Sequence, residues 1–387
     1  MFCVVNRLQR ENSGPMTSHE QLLSSVLRGE SQHWPWEGDD GAATSFCDSA
    51  EFHRLLPLIH SALSNGTARW PVSILDKCRL ASLTHAMREL AYQAEVGRLI
   101  ALLEDSGIPT LLLKGTALAY SCYTTPALRP RADTDLLVPP ECSQRAARML
   151  HSTGYRRVSG PAGKYVGYQI EMHRMDSLGV RHNIDLHWRI SNLQFFAWRF
   201  SFDELAADAV PVPRLHPLAM RVGNAHALLL NLLHRAGDRL DARTCCGERL
   251  IRLYDIKLLV ELMSDKELDD FLRMTATKGL AAIAEDGLRS CASRLDSARL
   301  RALIGALADL SGVHARPFHV GRLSREWLEI MAIPGAWPRI SYLANRAFPT
   351  PEYMRERFPD STARSLSRLH LRRLREGLSK LCSTPAD

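Results

Sequence analysis

Long apolar runs are absent from this sequence. No stretch reaches the roughly 18–20 consecutive apolar residues that a membrane-spanning helix needs. The N-terminus also lacks the apolar stretch and the small-residue cleavage site of a signal peptide. The nine cysteines follow no Cys-x-x-Cys or zinc-like spacing, and their odd number argues against a disulfide framework. We therefore expect a cytoplasmic protein with reduced thiols and no membrane partner.

The net charge of +7 is concentrated near the C-terminus. Residues 364–380 contain six basic side chains and a single acidic one. Such a segment could bind nucleic acid or another polyanion. Leucines recur among these charges at helical spacing, which favours an amphipathic helix that packs on a core and presents a solvated basic face.

Periodicity predicts an α+β fold in which a small mixed β-sheet is flanked by N-terminal helices and a C-terminal helical domain. Helices are predicted over 17–30, 49–64 and 74–106, and strands over 110–113, 134–138, 165–173 and 181–190. Strand signals nearly vanish after Phe202. The predicted divisions are a disordered N-terminus over 1–16, a helical region over 17–107, an α/β core over 108–200 and a helical domain over 201–387.

The stretch from Leu111 to Val138 carries the most chemical information. An apolar strand leads into a turn at Gly115 and a short helix, and a second strand then carries Asp133 and Asp135. Side chains alternate along a strand, so these carboxylates share one face, roughly 6–7 Å apart at Cα. Buried carboxylates need a positive partner, and hard cations such as Mg²⁺ prefer oxygen ligands.

The turn at Gly115 would present backbone N–H groups at a helix N-terminus, which suits a phosphate. A metal site beside a phosphate site indicates phosphoryl or nucleotidyl transfer. Two-metal transfer usually needs a third carboxylate, and Asp185 is the best candidate. It shares a strand face with His187 and would meet the aspartate pair if the two strands were neighbours. The alternative is an exposed polar face on an edge strand.

Several motifs resemble the uncharacterised nucleotidyltransferase family of the DNA polymerase β-like superfamily. They are Lys114-Gly115-x-Ala117-Leu118, Arg129-Pro130, Asp133-x-Asp135-Leu-Leu-Val138 and Ile184-Asp185-Leu-His187-Trp188, with weaker similarity in helical segments around 226–236, 249–256 and 349–355.

The resemblance implies that Asp133, Asp135 and Asp185 are the catalytic, metal-binding carboxylates, holding two Mg²⁺ ions. It also implies that Gly115 and Thr116 meet the phosphates of a nucleoside triphosphate such as ATP. Lys114 could contact a phosphate, or its stem could cover apolar surface. Arg129 could clamp the triphosphate or form a structural ion pair.

The resulting hypothesis is an Mg²⁺-dependent nucleotidyltransferase that moves a nucleoside monophosphate onto an acceptor hydroxyl and releases pyrophosphate. The acceptor is expected to be a small molecule or a protein rather than a nucleic acid. The alternative is a non-catalytic nucleotide-binding protein with a regulatory or interaction role. A nucleic-acid-directed enzyme that uses the basic C-terminal helix is a third possibility.

Overall fold

The computed structural model describes residues 16–30, 33–64, 69–158, 166–240, 248–311, 322–358 and 365–382. The segment predicted to be disordered, residues 1–16, lies outside these ranges except for Met16. No helix within them is long and apolar enough to cross a lipid bilayer. The α+β class predicted from the sequence is confirmed.

Among the described residues, four helices precede the sheet: α1 (Ser18–Arg28), α2 (Asp40–Phe52), α3 (Leu56–Ser64) and α4 (Val72–Asp105). A capping box between Thr17 and Glu20 starts α1. The helix predicted over 49–64 is divided into α2 and α3, because the backbone of Arg54 turns into the left-handed region between them, with φ +59°.

The long helix α4 is only partly covered. The sequence spaces apolar residues along this helix as a stripe that includes Leu80, Met87, Leu90, Leu99 and Leu103. The C-terminal half of the stripe is buried, including Leu99 and Leu103. The N-terminal half is exposed among the described residues, with Leu80 at 64%, Met87 at 73% and Leu90 at 70%. The spacing of apolar residues therefore predicted which side chains share one side of the helix. It did not predict where along the helix these side chains stop packing against other elements.

Seven strands form one mixed sheet: β1 (Leu111–Leu113), β2 (Thr134–Leu137), β3 (Arg156–Arg157), β4 (Gln169–Met175), β5 (Arg181–His187), β6 (Val210–Pro211) and β7 (Met220–Arg221). Their order across the sheet is β3-β4-β5-β2-β1-β7-β6. β2 runs parallel to β5 and antiparallel to β1. The two-residue strands β3, β6 and β7 were not predicted, because they are too short to show alternation.

Two helices accompany the central strands. Helix α5 (Lys114–Ser121) joins β1 to β2, and α6 (Ser143–Ser152) follows β2. The sheet, α6 and the C-terminal half of α4 enclose one apolar core, which includes Leu112, Leu136 and Leu186.

The remaining elements are helices: α7 (Gln194–Ala197), α8 (Phe202–Ala207), α9 (Asn224–Leu240), α10 (Leu250–Leu262), α11 (Asp265–Thr277), α12 (Ala281–Leu295), α13 (Ala298–Ser311), α14 (Arg322–Ala332), α15 (Ala336–Ala347), α16 (Pro351–Arg357) and α17 (Leu366–Cys382). Helices α9 to α13 share a second apolar core with the N-terminal helices α1 to α3. The chain therefore brings its N-terminal helices against segments some 200 residues later.

The basic segment near the C-terminus forms α17, which packs on α16. Leu369 of α17 is buried with Met354 and Phe358, whereas Arg368 and Arg372 are exposed. This arrangement matches the amphipathic alternative, with one side on apolar neighbours and the other in solvent.

Gly223, directly before α9, is a position where the chain passes close to another segment. A Cβ atom there would stand 2.7 Å from the backbone oxygen of Asp208. We expect Gly223→Ala to lower the free energy of unfolding by about 1–3 kcal/mol, because a backbone atom must move. A Cβ atom on Gly305 of α13 would meet no other atom within 4 Å, so Gly305→Ala should stabilise by about 0.5–1 kcal/mol. Urea unfolding of both variants tests this, and an unchanged midpoint for Gly223→Ala would contradict the close approach.

Candidate active site

The carboxylates of Asp135 and Asp185 stand side by side in the middle of the sheet. Asp135 on β2 is the register partner of Asp185 on the parallel strand β5. On the other side, Asp185 pairs with Glu171 of β4. Register partners point to the same face of a sheet, so the three carboxylates share one face. Because β5 is an interior strand, the alternative that Asp185 lies on an exposed edge strand is wrong.

His187 completes a group with metal-ligand geometry. It follows Asp185 by two residues and so shares its face. One ligand atom from each of Asp135, Asp185 and His187 lies within 4.8 Å of the other two. Asp133, predicted as a metal ligand, is exposed and is not part of this group. It stands at the rim, where its charge still acts on Lys114 and Asp185.

Asp135 is held by two side chains that both contact one of its oxygens. Lys114 Nζ donates to Asp135 Oδ1 at 2.6 Å, and His187 Nε2 lies 2.9 Å from the same atom. Burial alone would raise the pKa of Asp135, but the Lys114 ammonium and His187 outweigh it and hold this pKa well below its usual range. Asp135 is therefore ionised, and Lys114 is the internal cation that balances its charge.

The backbone of Lys114 has an unusual conformation, with φ +49°. Residues other than glycine rarely adopt this left-handed region, at a cost of roughly 1–2 kcal/mol. Lys114 directly follows Leu113, which is the register partner of Asp135. The sharp turn from β1 into α5 thus places the lysine beside the buried carboxylate, and their ion pair offsets the strain.

Asp185 differs from Asp135 in its ionisation. Burial, followed by repulsion from Asp135 and Asp133, raises the pKa of Asp185 to about 7. Its only described hydrogen bond is a long one from Gln169 Nε2, at 3.4 Å. Two neighbouring carboxylates thus have pKa values pushed in opposite directions, a pattern that functional sites often show.

The side chain of Thr116, which was expected to lie at the phosphates with Gly115, points into the protein interior. The Thr116 side chain is 1% exposed, and its hydroxyl donates to Thr134 Oγ1 at 3.2 Å. This hydroxyl is inside the fold, so the expectation that it reaches a phosphate is corrected. The group that remains for an anion is the backbone at the N-terminus of α5.

Arg129 forms the structural ion pair that was one of its two alternatives. Its Nε and Nη2 atoms donate to both oxygens of Asp255 on α10, at 2.7–3.0 Å. Tyr123 donates to the same carboxylate at 2.7 Å, and all three side chains are buried. A Cβ atom on Gly115 would lie 3.5 Å from Arg129 Nη2, so this network supports the turn from behind.

Arg131 is also turned away from the carboxylates. It forms an ion pair with Glu89 of α4, and its guanidinium lies over the rings of Tyr92 and Tyr120, at 5.2 and 5.8 Å from their centroids.

His234 of α9 lies near enough to Lys114 and Asp135 for their charges to act on it. Burial and then the Lys114 charge lower the pKa of His234 well below its usual value, so this imidazole is neutral.

The sequence carries a signal for His187, because its two-residue spacing from Asp185 predicts a common strand face. Spacing alone still favours a hydrogen-bonded structural histidine over a ligand. The structure gives His187 both a structural contact, with Asp135, and a place in the ligand group. Glu89 had no comparable signal, because its partners Tyr120 and Arg131 are distant in sequence.

The ion pair between Lys114 and Asp135 predicts a stability difference between the two motif aspartates. Asp135→Asn leaves a buried ammonium without its counterion, and should lower the free energy of unfolding by about 3 kcal/mol. Asp133→Asn removes an exposed charge and should change it by less than about 0.5 kcal/mol. Urea unfolding in EDTA checks both variants; equal unfolding midpoints would show that the ion pair does not hold the fold.

The raised pKa of Asp185 predicts how stability depends on pH. An acid whose folded pKa exceeds its unfolded pKa contributes stability that is present below about pH 4 and is lost as the pH rises through 7. Asp185→Asn cannot ionise, so its stability relative to wild type should grow by about 2–3 kcal/mol between pH 5 and pH 8 in EDTA. Asp105→Asn, at the exposed end of α4, is the control. A constant difference across this range would contradict the assigned pKa.

A comparison with known protein families identifies the family of this chain. The family model described as an uncharacterised nucleotidyltransferase matches residues 40–296, about two thirds of the chain. This range includes helices α2 to α12 and the whole sheet. A comparison with curated proteins gives no match. The chain belongs to the uncharacterised nucleotidyltransferase family.

Proposed function

We propose that this protein is a metal-dependent nucleotidyltransferase that moves a nucleoside monophosphate from a nucleoside triphosphate, such as ATP, to an acceptor hydroxyl. Family membership supports nucleotidyl transfer. The observation that carries the proposal is the pairing of Asp135 with Asp185 on parallel neighbouring strands, beside the turn that begins α5.

The side chains present fit a divalent cation. Both contacts to Asp135 go to Oδ1, and no described donor reaches its Oδ2. Among the described residues, the one donor to Asp185 is Gln169, which reaches its Oδ2. Carboxylate oxygens suit Mg²⁺, so Asp135 and Asp185 would hold it, with Asp133 at the rim available to a second ion. When bound, Mg²⁺ supplies neutralisation of phosphate charge and orientation of the triphosphate.

The reaction then follows from the positions of this chain's residues. The acceptor oxygen attacks the α-phosphorus, the bond to the bridging oxygen of the β-phosphate breaks, and pyrophosphate leaves. Asp185 accepts the proton of the acceptor hydroxyl on the carboxylate oxygen that does not hold the cation. His187 orients Asp135 through its hydrogen bond, and the backbone N–H groups at the start of α5 meet phosphate oxygens.

Two features of helix α17 favour a small molecule or a protein as the acceptor over a nucleic acid. The basic helix α17 lies outside the residues that the family model matches, and its apolar side is used for packing on α16. The non-catalytic alternative predicts nucleotide binding without turnover, which a labelling experiment separates from catalysis.

Labelled nucleotides test the proposal. The protein is incubated with [α-³²P] or [γ-³²P] forms of each nucleoside triphosphate and with fractionated small-molecule and protein acceptors. We expect Mg²⁺-dependent transfer of the α label, lost by at least about a hundredfold in Asp135→Asn and Asp185→Asn and retained in Asp105→Asn. Transfer of the γ label instead would contradict nucleotidyl transfer, and Mg²⁺-dependent binding without any transfer would favour the regulatory alternative.

A further inference from the structure

Arg54 occupies a backbone position that normally belongs to glycine. It follows the C-cap of α2, where Arg54 N–H bonds to the Glu51 oxygen and Leu55 N–H bonds to the Ala50 oxygen. This is the Schellman pattern, whose left-handed residue is most often glycine. Arg54 keeps φ +59° despite its side chain. A residue maintained against local preference suggests that its side chain has a use.

The two residues other than glycine with positive φ in the described ranges are Arg54 and Lys114. Both are basic, and the charge of Asp133 acts on both. A strained backbone and a positive charge therefore occur together at two positions near Asp133. Arg54 follows a helix of the N-terminal region, and Lys114 follows a strand of the sheet.

The guanidinium of Arg54 has no hydrogen bond or ion pair with any described residue, although it is half-buried. The charges that act on it are those of Arg249, Arg129, Arg252 and Asp133. Arg129 and Arg252 are themselves neutralised by Asp255 and Asp238. Burial and these like charges lower the pKa of Arg54 to about 10. Arg249 caps α10, and its buried Nε also lacks a partner among the residues that the structure describes. Two guanidinium groups without a described counterion so close in the fold, those of Arg54 and Arg249, are unfavourable unless an anion joins them.

The other cations near the carboxylates are already engaged. Lys114 pairs with Asp135, Arg129 with Asp255, Arg131 with Glu89, and Arg252 with Asp238. A nucleoside triphosphate carries several negative charges, which the remaining arginines are placed to meet.

We propose that Arg54, together with Arg249 at the start of α10, forms an anion subsite for the β- and γ-phosphates of the nucleoside triphosphate. This subsite rests on the proposed function for the identity of its ligand. Guanidinium groups suit phosphates because they donate two parallel hydrogen bonds. The subsite lies on the Asp133 side of the cleft, so the triphosphate tail would cross the rim at Asp133 and leave Asp185 to the acceptor.

Arg54→Asn separates a binding role from a structural one. Asparagine tolerates the left-handed backbone and removes one of several like charges, so the thermal unfolding midpoint without nucleotide should stay the same or rise. Calorimetric titration with inorganic triphosphate and with ATP, each with Mg²⁺, should show affinity at least about tenfold weaker. Affinity for AMP should be unchanged. Arg54→Lys should be intermediate, since it keeps the charge but loses the fork. Arg79→Gln, an exposed arginine of α4, should behave as wild type.

The outcomes distinguish this subsite from the proposed reaction. Loss of inorganic triphosphate binding in Arg54→Asn, with no α-label transfer by the wild type, would leave the subsite standing and the reaction wrong. Normal ATP and triphosphate binding by Arg54→Asn would refute the subsite while leaving transfer intact. Equal weakening of AMP and ATP, or a wild type that binds no inorganic triphosphate, would also overturn it.

Discussion

The ion pair between Lys114 and Asp135 is the interaction on which the site depends. It supplies positive charge beside two carboxylates on adjacent strands, which would otherwise repel each other. The register of β2 and β5 puts Asp135 beside Asp185, and two like charges so close raise the free energy of the folded chain. Lys114 and His187 stabilise the ionised form of one aspartate, while the pKa of the other rises to about 7. The site therefore keeps a single buried charge pair in place of two competing anions, and Asp185 is the group that can take up or release a proton near neutral pH.

Strand periodicity was sufficient to predict much of this arrangement. The alternation of side chains placed Asp135 and Asp185 on polar faces, and the buried strand pattern predicted the sheet around them. Periodicity could not reveal the partners of these groups. The hydroxyl of Thr116 bonds to Thr134 within the core, and Arg129 bonds to Asp255, which is 126 residues away in sequence. Such pairings depend on tertiary packing, which a local pattern does not encode.

The N-terminal helices contribute to the cleft through the core that they share with α9 to α13. Leu250 N–H donates to His53 Nδ1 at 3.2 Å, which fixes the end of α2 against the start of α10. Because Arg54 follows His53 and Arg249 precedes Leu250, this contact brings the two arginines close together. No local pattern points to this grouping, because an arginine at the C-terminal end of a helix is ordinary by composition. Only its backbone conformation and its unpaired guanidinium, within the part of the chain that the structure describes, distinguish it.

The central claim is that Asp135 and Asp185 together bind the catalytic cation. Anomalous diffraction from crystals grown with Mn²⁺ and a non-hydrolysable nucleoside triphosphate analogue measures this directly. We predict a manganese peak bonded to oxygens of both aspartates, with the phosphates beside the N-terminus of α5. A bound analogue with no manganese at these carboxylates would contradict the claim.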